Sequence, residues 1–382
     1  MNPPPAASGD AAIRRRAWVA LASTTGLTPR GCAALLARYR APEAILGTSA
    51  DELGSVTGVS GPAARALADG ESVRWAERWL LESERSTMAV LTPEDAAYPA
   101  RLRNMPDPPP ALWRRGRNEI ASAAIAVVGS RRPSPYGRLV AERFARELAL
   151  AGMTVVSGLA RGIDGAAQQA VLDVGGDTIA VLGCGLNQIY PLEHRTLQEA
   201  IGRDGVLLTE FPPNAPPLAH HFPRRNRLIS GLALGVLVVE AGERSGSLIT
   251  ARLALEQGRE VFAVPGNLGV GGSIGTNRLI KSGATLVERV EDMLEAVAAQ
   301  IDPSAVRPLR RSTSAAQPAA DAALTTEERA LAGHVTDEPR HMDELAARAG
   351  RPVQHVAALL VSLELKGAVR QLPGQFYCRS TL

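Results

Sequence analysis

The segment from Ile125 to Val140, IAVVGSRRPSPYGRLV, joins an apolar run to a Gly-Ser-Arg-Arg turn and then to an amphipathic stretch. The apolar run predicts a buried strand, and the apolar spacing after the turn predicts a helix. Backbone N–H groups at a helix N-terminus are unsatisfied and lie at the positive end of the helix dipole, so they attract phosphate. Arg131 and Arg132 add planar guanidinium groups that suit phosphate oxygens. The turn is therefore predicted to bind an anion. An ordinary strand-to-helix turn with solvated arginines is the alternative.

The densest basic cluster of the central region is HHFPRRNRLISGL, residues 220–232. If Arg224 opens a helix, Arg224 and Arg227 share one face, and Asn226 can form a local capping hydrogen bond. Phe222 lies beside them in sequence. Arginines can follow phosphates while an aromatic ring stacks on any base, so this combination is typical of a groove for single-stranded nucleic acid. A solvated helix start with a buried Phe is the alternative.

Two further segments carry candidate carboxylates. In SGLARGIDGAAQQA, residues 157–170, the glycines permit close backbone approach, and Arg161 is expected to pair with Asp164 across the loop. Asp164 could instead be a catalytic carboxylate. In EAGERSGSLITA, residues 240–251, Glu240 ends a strand and could act as a base or pair with an arginine, while the Ser and Gly residues could cap a helix or hold an anion.

These segments lie in a region that alternates between short buried strands and amphipathic helices. Strands separated by helices pair in parallel through right-handed crossovers. We therefore predict an α/β, doubly wound, extended Rossmann-like domain with a mostly parallel sheet over residues 86–298, and ligands beyond the carboxyl ends of its strands. The predicted strands are Ile125–Val128, Thr154–Ser157, Thr178–Leu182, Val206–Thr209, Val236–Val239, Glu260–Val264 and Thr285–Val287.

Flanking regions differ in composition. Residues 1–85 predict a small helical domain, SAM-like with paired helix-hairpin-helix turns at TGLTP and TGVSGP, which could meet phosphate or simply join packed helices. A short strand is expected at residues 87–91, and prolines are expected to exclude regular helix from residues 98–116. Residues 299–322 are rich in Ala, Ser, Pro and Arg, which predicts a flexible linker. Residues 323–382 predict three helices and a β-hairpin, a small winged-helix domain.

Overall composition excludes several classes of protein. The chain has 382 residues, 45% of them apolar, and a net charge of +3, so any site for a polyanion must come from local clustering of basic residues. Three widely separated cysteines form no disulfide or metal pattern, and His194, His220 and His221 lack metal spacing. No signal peptide or membrane-spanning run is evident. These features predict a cytoplasmic protein with no metal and no membrane association.

The motifs together resemble the bacterial DNA-processing protein A family, also called Smf or DprA. The resemblance rests on GSRRPSPYG, SGLARGIDGAA, LGCGLNQIYP, FPRRNRLISGL, VVEAGERSGSLITA and VPGN followed by GTNRLIKSGA, in that order over some 170 residues. The connector ending in PPPALWRRG, the helical N-terminal domain and the winged-helix domain fit the family too. The order of so many motifs makes the resemblance highly specific.

The resemblance implies a non-catalytic protein without a cofactor that binds single-stranded DNA. It further implies protection of incoming strands in natural transformation, loading of RecA recombinase, and a homodimer formed by the Rossmann-like domain. The implied dimer patch lies near Leu279, Ile280 and Leu286. Residue chemistry and resemblance together give a predicted DNA-binding set of Gly129, Ser130, Arg131, Arg132, Arg161, Phe222, Arg224, Arg225, Asn226 and Arg227.

Two enzyme classes compete with this interpretation. Nucleotide-cleaving phosphoribohydrolases have a fold similar to the predicted Rossmann-like domain and use a P-G-G-x-G-T-x-x-E signature with a catalytic Glu. Here VGGSIGTNRL lacks the leading Pro, has an extra residue, and places Leu279 where that Glu should stand. A dinucleotide-dependent dehydrogenase needs a second Gly in the first turn and an acidic residue after the second strand, where Ser157-Gly158 stands instead. Both alternatives are disfavoured. The recognition helix expected in the winged-helix domain offers mainly Arg351, Gln354, His355 and Lys366 among apolar residues, unlike that of a strong DNA reader.

Overall fold

The computed structural model describes residues 9–117, 119–301, 324–366 and 368–379. The chain divides into two compact units. One holds six N-terminal helices and a nine-stranded sheet, and the other holds three helices and a three-stranded sheet. All but the first three residues of the predicted linker, 299–322, lie outside the described residues.

Nine strands form the large sheet in the order β1-β2-β6-β5-β4-β3-β7-β8-β9. Strands β3 to β9 pair in parallel, and β1 and β2 add an antiparallel edge. The central strands are buried throughout, as parallel strands covered on both faces must be. The predicted doubly wound, mostly parallel sheet is confirmed. Its strands are β1 Ala89–Leu91, β2 Leu112–Gly116, β3 Ala124–Val128, β4 Thr154–Ser157, β5 Thr178–Val181, β6 Val206–Thr209, β7 Gly235–Val238, β8 Glu260–Ala263 and β9 Thr285–Leu286.

Helices connect the parallel strands. The chain runs from β3 to β4, β5 and β6 on one side, and then returns to β7, β8 and β9 on the other side of β3. The carboxyl ends of β3 and β7 therefore flank the topological switch point, where open α/β sheets bind ligands. The helices of this region are α7 Ala100–Arg103, α8 Pro135–Leu150, α9 Ile163–Asp173, α10 Arg195–Asp204, α11 His221–Leu232, α12 Gly246–Glu256, α13 Ile274–Lys281 and α14 Val290–Val297.

The connector at residues 98–116 contains more regular structure than its prolines predicted. α7 begins directly after Pro99, and proline is tolerated at a helix start because its missing N–H would be unsatisfied there. The proline run ends at Pro110, and the next residues form β2, which pairs antiparallel with both β1 and β6. The prediction that this connector excludes regular helix was wrong. The prolines at the centre of the connector do not prevent regular structure from forming at its two ends.

The N-terminal helices pack around two related turns. Leu27 and Val59 form a β-bridge between the turns, and Thr28 donates its backbone N–H to the Gly58 carbonyl at 3.4 Å. The hydroxyl of Thr28 accepts the Gly31 N–H, and that of Ser60 accepts the Ala63 N–H. These N–H groups are therefore occupied, which favours the packing role over phosphate binding. The helices are α1 Gly9–Ser23, α2 Pro29–Tyr39, α3 Pro42–Ile45, α4 Ala50–Gly54, α5 Gly61–Ala68 and α6 Glu71–Arg85.

The C-terminal unit has three helices and a small antiparallel sheet in the order β10-β12-β11, as a winged-helix domain does. A buried apolar cluster, which includes Leu331, Leu345 and Leu360, holds the helices together. β11 and β12 form the predicted hairpin. The elements are α15 Thr326–Ala332, β10 Arg340–His341, α16 Met342–Ala349, α17 Val353–Leu365, β11 Val369–Leu372 and β12 Phe376–Arg379.

Basic side chains at α17 are largely compensated by acidic residues of α15. Arg351 and His355 lie 3.2 and 3.4 Å from carboxylate oxygens of Glu327. Lys366 forms an ion pair of 2.6 Å with Glu328, whose pKa is lowered to about 2 by the hydrogen bond from Lys366 and then by that from Ser362. The helix therefore presents little free positive charge.

Among the helices of the described ranges, none combines the length and apolar content that a membrane span requires.

Candidate nucleic-acid interface

A cleft of about 760 Å³ opens at the carboxyl ends of β3 and β7. Its walls come from the turns after β3, β4 and β7, from the first turns of α11 and α12, and from the loop before α10. The cleft lies where the strand order predicted a ligand site. Residues that line it and bear on its chemistry are Gly129, Ser130, Arg131, Arg132, Asp164, Tyr190, Phe222, Arg225, Asn226, Arg244, Ser245 and Ser247.

The Gly-Ser-Arg-Arg turn forms one wall. Ser130 donates its backbone N–H to the Glu240 carbonyl at 2.7 Å, and its own carbonyl accepts the Ile163 N–H. The Ser130 hydroxyl oxygen accepts the backbone N–H of Arg132 at 3.1 Å. The turn is thus fixed by its neighbours, and the exposed side chains of Arg131 and Arg132 form no hydrogen bond or ion pair with the described residues. Anion binding here falls to these side chains more than to backbone N–H groups.

Phe222, in the first turn of α11, forms an aromatic wall beside Arg131. The Arg131 guanidinium lies 5.5 Å from the centre of the Phe222 ring, within cation–π distance. The ring also approaches Gly183, where a Cβ atom would lie 2.9 Å from Phe222 Cδ1. Only glycine leaves room for this ring position. Of the arginines that follow Phe222 in sequence, Arg225 also lies 6.0 Å from the ring centre.

The floor of the cleft holds a buried cation. Arg225 is 3% exposed and donates hydrogen bonds to the carbonyls of Gly158 and Val181. Burial lowers its pKa to about 10, although Asp164 counteracts this. The Asp164 carboxylate accepts the N–H groups of Gly158 and Ala160 at 3.1 and 3.4 Å, and burial raises its pKa while Arg225 counteracts that change. Asp164 therefore anchors the turn after β4 and balances the charge of Arg225.

Arg224 and Arg227 share one face of α11, as their spacing predicted, but that face meets Glu210. Both donate to one oxygen of the Glu210 carboxylate, at 3.0 and 2.6 Å. Glu210 is 1% exposed. Burial alone would raise its pKa, and Arg227 and Arg224 hold it below the usual value. Arg227 also reaches the carbonyl of Asp107. Neither arginine lines the cleft, and Asn226 lies inside the helix near the Gly246 carbonyl instead of capping it.

Arg161 pairs with Glu193 instead of Asp164, so the predicted ion pair across the loop was wrong. The reason is that Asp164 turns inward to the backbone N–H groups of its own loop, while Arg161 points to solvent. Arg161 borders a small cavity of about 30 Å³ that adjoins the cleft beneath Phe222.

Arg244 is an exposed cation of this cleft that the predicted set missed. It is exposed, lines the cleft, and forms no hydrogen bond or ion pair with the described part of the chain. Ser245 follows it as the N-cap of α12, accepting the Ser247 N–H. The signal that could have identified Arg244 was its position: it follows β7 and precedes a helix, as Arg131 follows β3 and precedes α8.

The candidate catalytic and metal groups are placed differently. The Glu240 side chain lies against Gly272 and is not part of the cleft wall. Leu279 packs partly against the core of the sheet, and the Asn277 side chain is hydrogen-bonded to both backbone groups of Gly266. Across the described ranges, no group of three His, Cys, Asp or Glu side chains could hold a metal ion.

The predicted dimer patch lies at one edge of the large sheet. Leu286 belongs to β9, which is the last strand in the sheet order, and its side chain is 42% exposed. Leu279 and Ile280 lie on α13 and are partly buried. The patch is therefore partly exposed at the end of the sheet.

Fold and cleft together define a doubly wound α/β protein whose topological switch point carries free guanidinium groups beside an aromatic ring. Comparison with known proteins makes the assignment more specific. The model of the family described as DNA recombination-mediator protein A matches residues 89–298, and that of the DprA winged helix domain matches residues 315–375. The chain belongs to the DNA recombination-mediator protein A family, which confirms the family expected from the motifs.

Relatives and solved structures agree. Protein Smf of Escherichia coli strain K12 is 48% identical over 289 residues, which are 75% of this chain and 76% of that protein. The crystal structure of DNA processing protein A from Streptococcus pneumoniae superposes with a TM-score of 0.63 at 36% identity, covering 75% of this chain and 98% of that one. The Helicobacter pylori protein, whose structure concerns its single-stranded DNA binding mode, gives a TM-score of 0.51 at 32% identity over 56% of this chain and 97% of its own.

Proposed function

We propose that this protein binds single-stranded DNA in the cleft between β3 and β7. One observation carries the proposal: Arg131, Arg132 and Arg244 are exposed and uncompensated around a cleft that also presents the Phe222 ring. Uncompensated guanidinium groups attract phosphates, and an aromatic ring stacks on bases of any sequence. The single-stranded DNA binding of the Helicobacter pylori relative supports the same ligand.

The predicted DNA-binding set divides into two roles under this proposal. Gly129, Ser130, Arg131, Arg132 and Phe222 form the walls that meet the strand, and Arg225 fixes the floor through its hydrogen bonds to the carbonyls of Gly158 and Val181. Arg224 and Arg227 act by positioning α11 through Glu210. Arg161 and Asn226 border the site as weaker contributors, because Arg161 is paired with Glu193 and Asn226 reaches the Gly246 carbonyl.

A gel-shift series with single-stranded and duplex DNA of equal length tests the proposal. The wild-type protein should bind the single strand more tightly, and Arg131→Gln should weaken that binding. Arg195→Gln is a matched control, because Arg195 is exposed and does not line the cleft. Equal binding by wild type and Arg131→Gln would refute the site, and preference for duplex DNA would refute the ligand.

We further propose that the protein has no catalytic activity of its own. Support comes from the position corresponding to the hydrolase Glu, which holds the partly buried Leu279, and from Glu240, which is not part of the cleft wall. Incubation with nucleoside monophosphates should release no free base above a protein-free control. Release that Asp164→Asn abolishes would instead support the hydrolase alternative.

A homodimer through Leu279, Ile280 and Leu286 is a separate proposal. The exposed edge strand β9 and the neighbouring α13 support it. Ile280→Asp should convert dimers to monomers in analytical ultracentrifugation, because a charge would have to be desolvated at the interface. Leu255→Asp is a control at an exposed apolar position of α12. An unchanged mass for Ile280→Asp would reject the patch.

Family membership supports the wider role that we propose: a cytoplasmic protein that protects single strands entering in natural transformation and loads RecA onto them. Purified RecA should then assemble faster on single strands that carry the wild-type protein than on strands mixed with Arg131→Gln. Equal assembly rates would contradict the loading role.

The division into domains at 1–85, 86–298 and 323–382 with a linker at 299–322 is likewise a proposal, which limited proteolysis can test.

A further inference from the structure

We propose that Tyr190 is a second base-stacking ring of the cleft and forms, with Phe222, an aromatic wall that selects strands carrying exposed bases. This inference rests on the proposed binding of single-stranded DNA and deepens it. Tyr190 lines the cleft, and its ring centre lies 5.3 Å from that of Phe222 with the planes inclined at 44°. The two rings therefore present a continuous aromatic surface at one side of the cleft.

Burial distinguishes Tyr190 from a core aromatic residue. Its side chain remains 37% exposed, and it belongs to none of the buried apolar clusters of the described residues. Buried tyrosines of this chain are different: Tyr98 is 2% exposed and donates its hydroxyl to the Pro109 carbonyl. An aromatic ring left in solvent beside free cations is available to a ligand.

The loop that carries Tyr190 is fixed by polar contacts outside the cleft. The Asn187 side chain donates to Asn214 at 2.8 Å and to Glu82 of α6 at 3.2 Å, and it accepts a hydrogen bond from Arg115 of β2 at 3.2 Å. Gln198 of α10 donates to the neighbouring Gln188 carbonyl. Three separate elements thus hold the loop, so the ring is oriented before any ligand arrives, which reduces the entropic cost of binding.

Positive charge also lies on the side of the cleft opposite Tyr190. Arg244 and Ser245 lie at the start of α12, across the topological switch point from the loop that carries Tyr190 and on the side of β7. A single strand placed between them directs phosphates toward the guanidinium groups and bases toward the rings of Tyr190 and Phe222. Duplex DNA, whose bases are paired and stacked inside, cannot use the aromatic wall. Selectivity for single strands follows from the rings, and salt-dependent affinity follows from the arginines.

Fluorescence anisotropy with two labelled oligonucleotides tests the proposal, one of twenty thymidines and one of equal length with abasic residues. Tyr190→Ala should weaken binding of the thymidine strand by about 5- to 150-fold, the usual effect of losing one base–aromatic stack, and should leave binding of the abasic strand nearly unchanged. Tyr190→Phe should behave as wild type. Leu192→Ala is the matched control, because Leu192 is on the same loop, 70% exposed and outside the cleft.

Several outcomes would overturn the proposal. Unchanged binding of the thymidine strand by Tyr190→Ala would exclude stacking, and an equal loss on both strands would assign Tyr190 a structural role instead. If wild type binds neither strand, the proposed function fails with it. If Arg131→Gln weakens binding but Tyr190→Ala does not, only the present inference fails.

A second measurement remains informative if Tyr190→Ala does not fold. A strand containing 2-aminopurine should lose fluorescence on binding the wild-type protein, because stacking on an aromatic ring quenches this base. Tyr190→Leu, which keeps an apolar side chain of similar reach, should reduce the quenching while Leu192→Ala retains it. Equal quenching by all three proteins would refute the role of Tyr190.

Discussion

Replacing Arg131 by Gln removes one of three uncompensated guanidinium groups around the cleft while keeping a polar side chain of similar length. Arg131 forms no hydrogen bond or ion pair with other described residues, so its loss leaves no buried partner unsatisfied. We expect the protein to fold normally and to bind single-stranded DNA more weakly. The substitution therefore separates a charge effect from a folding effect.

The magnitude follows from counterion release. Each phosphate neutralised on a single strand contributes a slope of about −0.7 to the dependence of log affinity on log salt concentration. Arg131, Arg132 and Arg244 would together give a slope of about −2, so raising the salt from about 50 to 200 mM should weaken wild-type binding by about 20-fold. With Arg131→Gln the slope should fall to about −1.4, and the same change of salt should cost about 7-fold.

Anisotropy titrations with a thymidine oligonucleotide at four salt concentrations measure this slope. Arg195→Gln removes the same charge at an exposed position outside the cleft, and its slope should equal that of wild type. If Arg131→Gln keeps the wild-type slope, Arg131 contacts no phosphate and the assignment of the cleft is refuted. If both variants lose slope equally, the effect is that of net charge alone.

Three further results are expected. Glu210→Gln should lower the free energy of unfolding by about 1.5–3 kcal/mol at pH 7, because it removes the carboxylate charge that Arg224 and Arg227 share and leaves the buried Arg227 with Asp107 as its remaining acidic partner. The folded state lowers the pKa of Glu210, so the ionised carboxylate contributes fully to the free energy of unfolding above the usual pKa of about 4.3. That contribution is lost as the pH falls below this value, so the unfolding free energies of wild type and variant, measured with denaturant, should converge in acid. A difference between the two proteins that stays constant with pH would contradict this. Gly183→Ala should weaken single-strand binding by displacing Phe222, with a melting temperature close to that of wild type, and unchanged affinity would show that the ring position is unimportant. Asp164→Ala should increase amide hydrogen exchange at Gly158 and Ala160, which lose their acceptor, and unchanged protection there would contradict its anchoring role.

The parallel sheet could be predicted because its strands are local and apolar. Thr154–Ser157 and Val206–Thr209 were predicted with the bounds that the structure shows. β2 was missed because it is stabilised by pairing with β1 and β6, which lie far from it in sequence. Local composition carries no information on such a partner.

The arginines show the corresponding limit for the site. Sequence placed Arg131, Arg224, Arg225 and Arg227 in one basic group, and the structure separates them by burial. Glu210, more than ten residues earlier, neutralises Arg224 and Arg227, and that pairing depends on how the residue that follows β6 meets α11. The number of basic residues in a sequence cluster therefore overestimates the free positive charge of the cleft. A search for such clusters also misses a single cation at the end of a strand, as it missed Arg244.

Photo-cross-linking can determine whether single-stranded DNA lies in the cleft between β3 and β7. A thymidine oligonucleotide with 5-iododeoxyuridine at one position, irradiated with the wild-type protein and mapped by mass spectrometry, identifies the residues in contact with a base. We predict cross-links in the peptides that contain Phe222 and Tyr190. Cross-links confined to the N-terminal helices or to the C-terminal winged-helix unit would show that the strand lies outside this cleft.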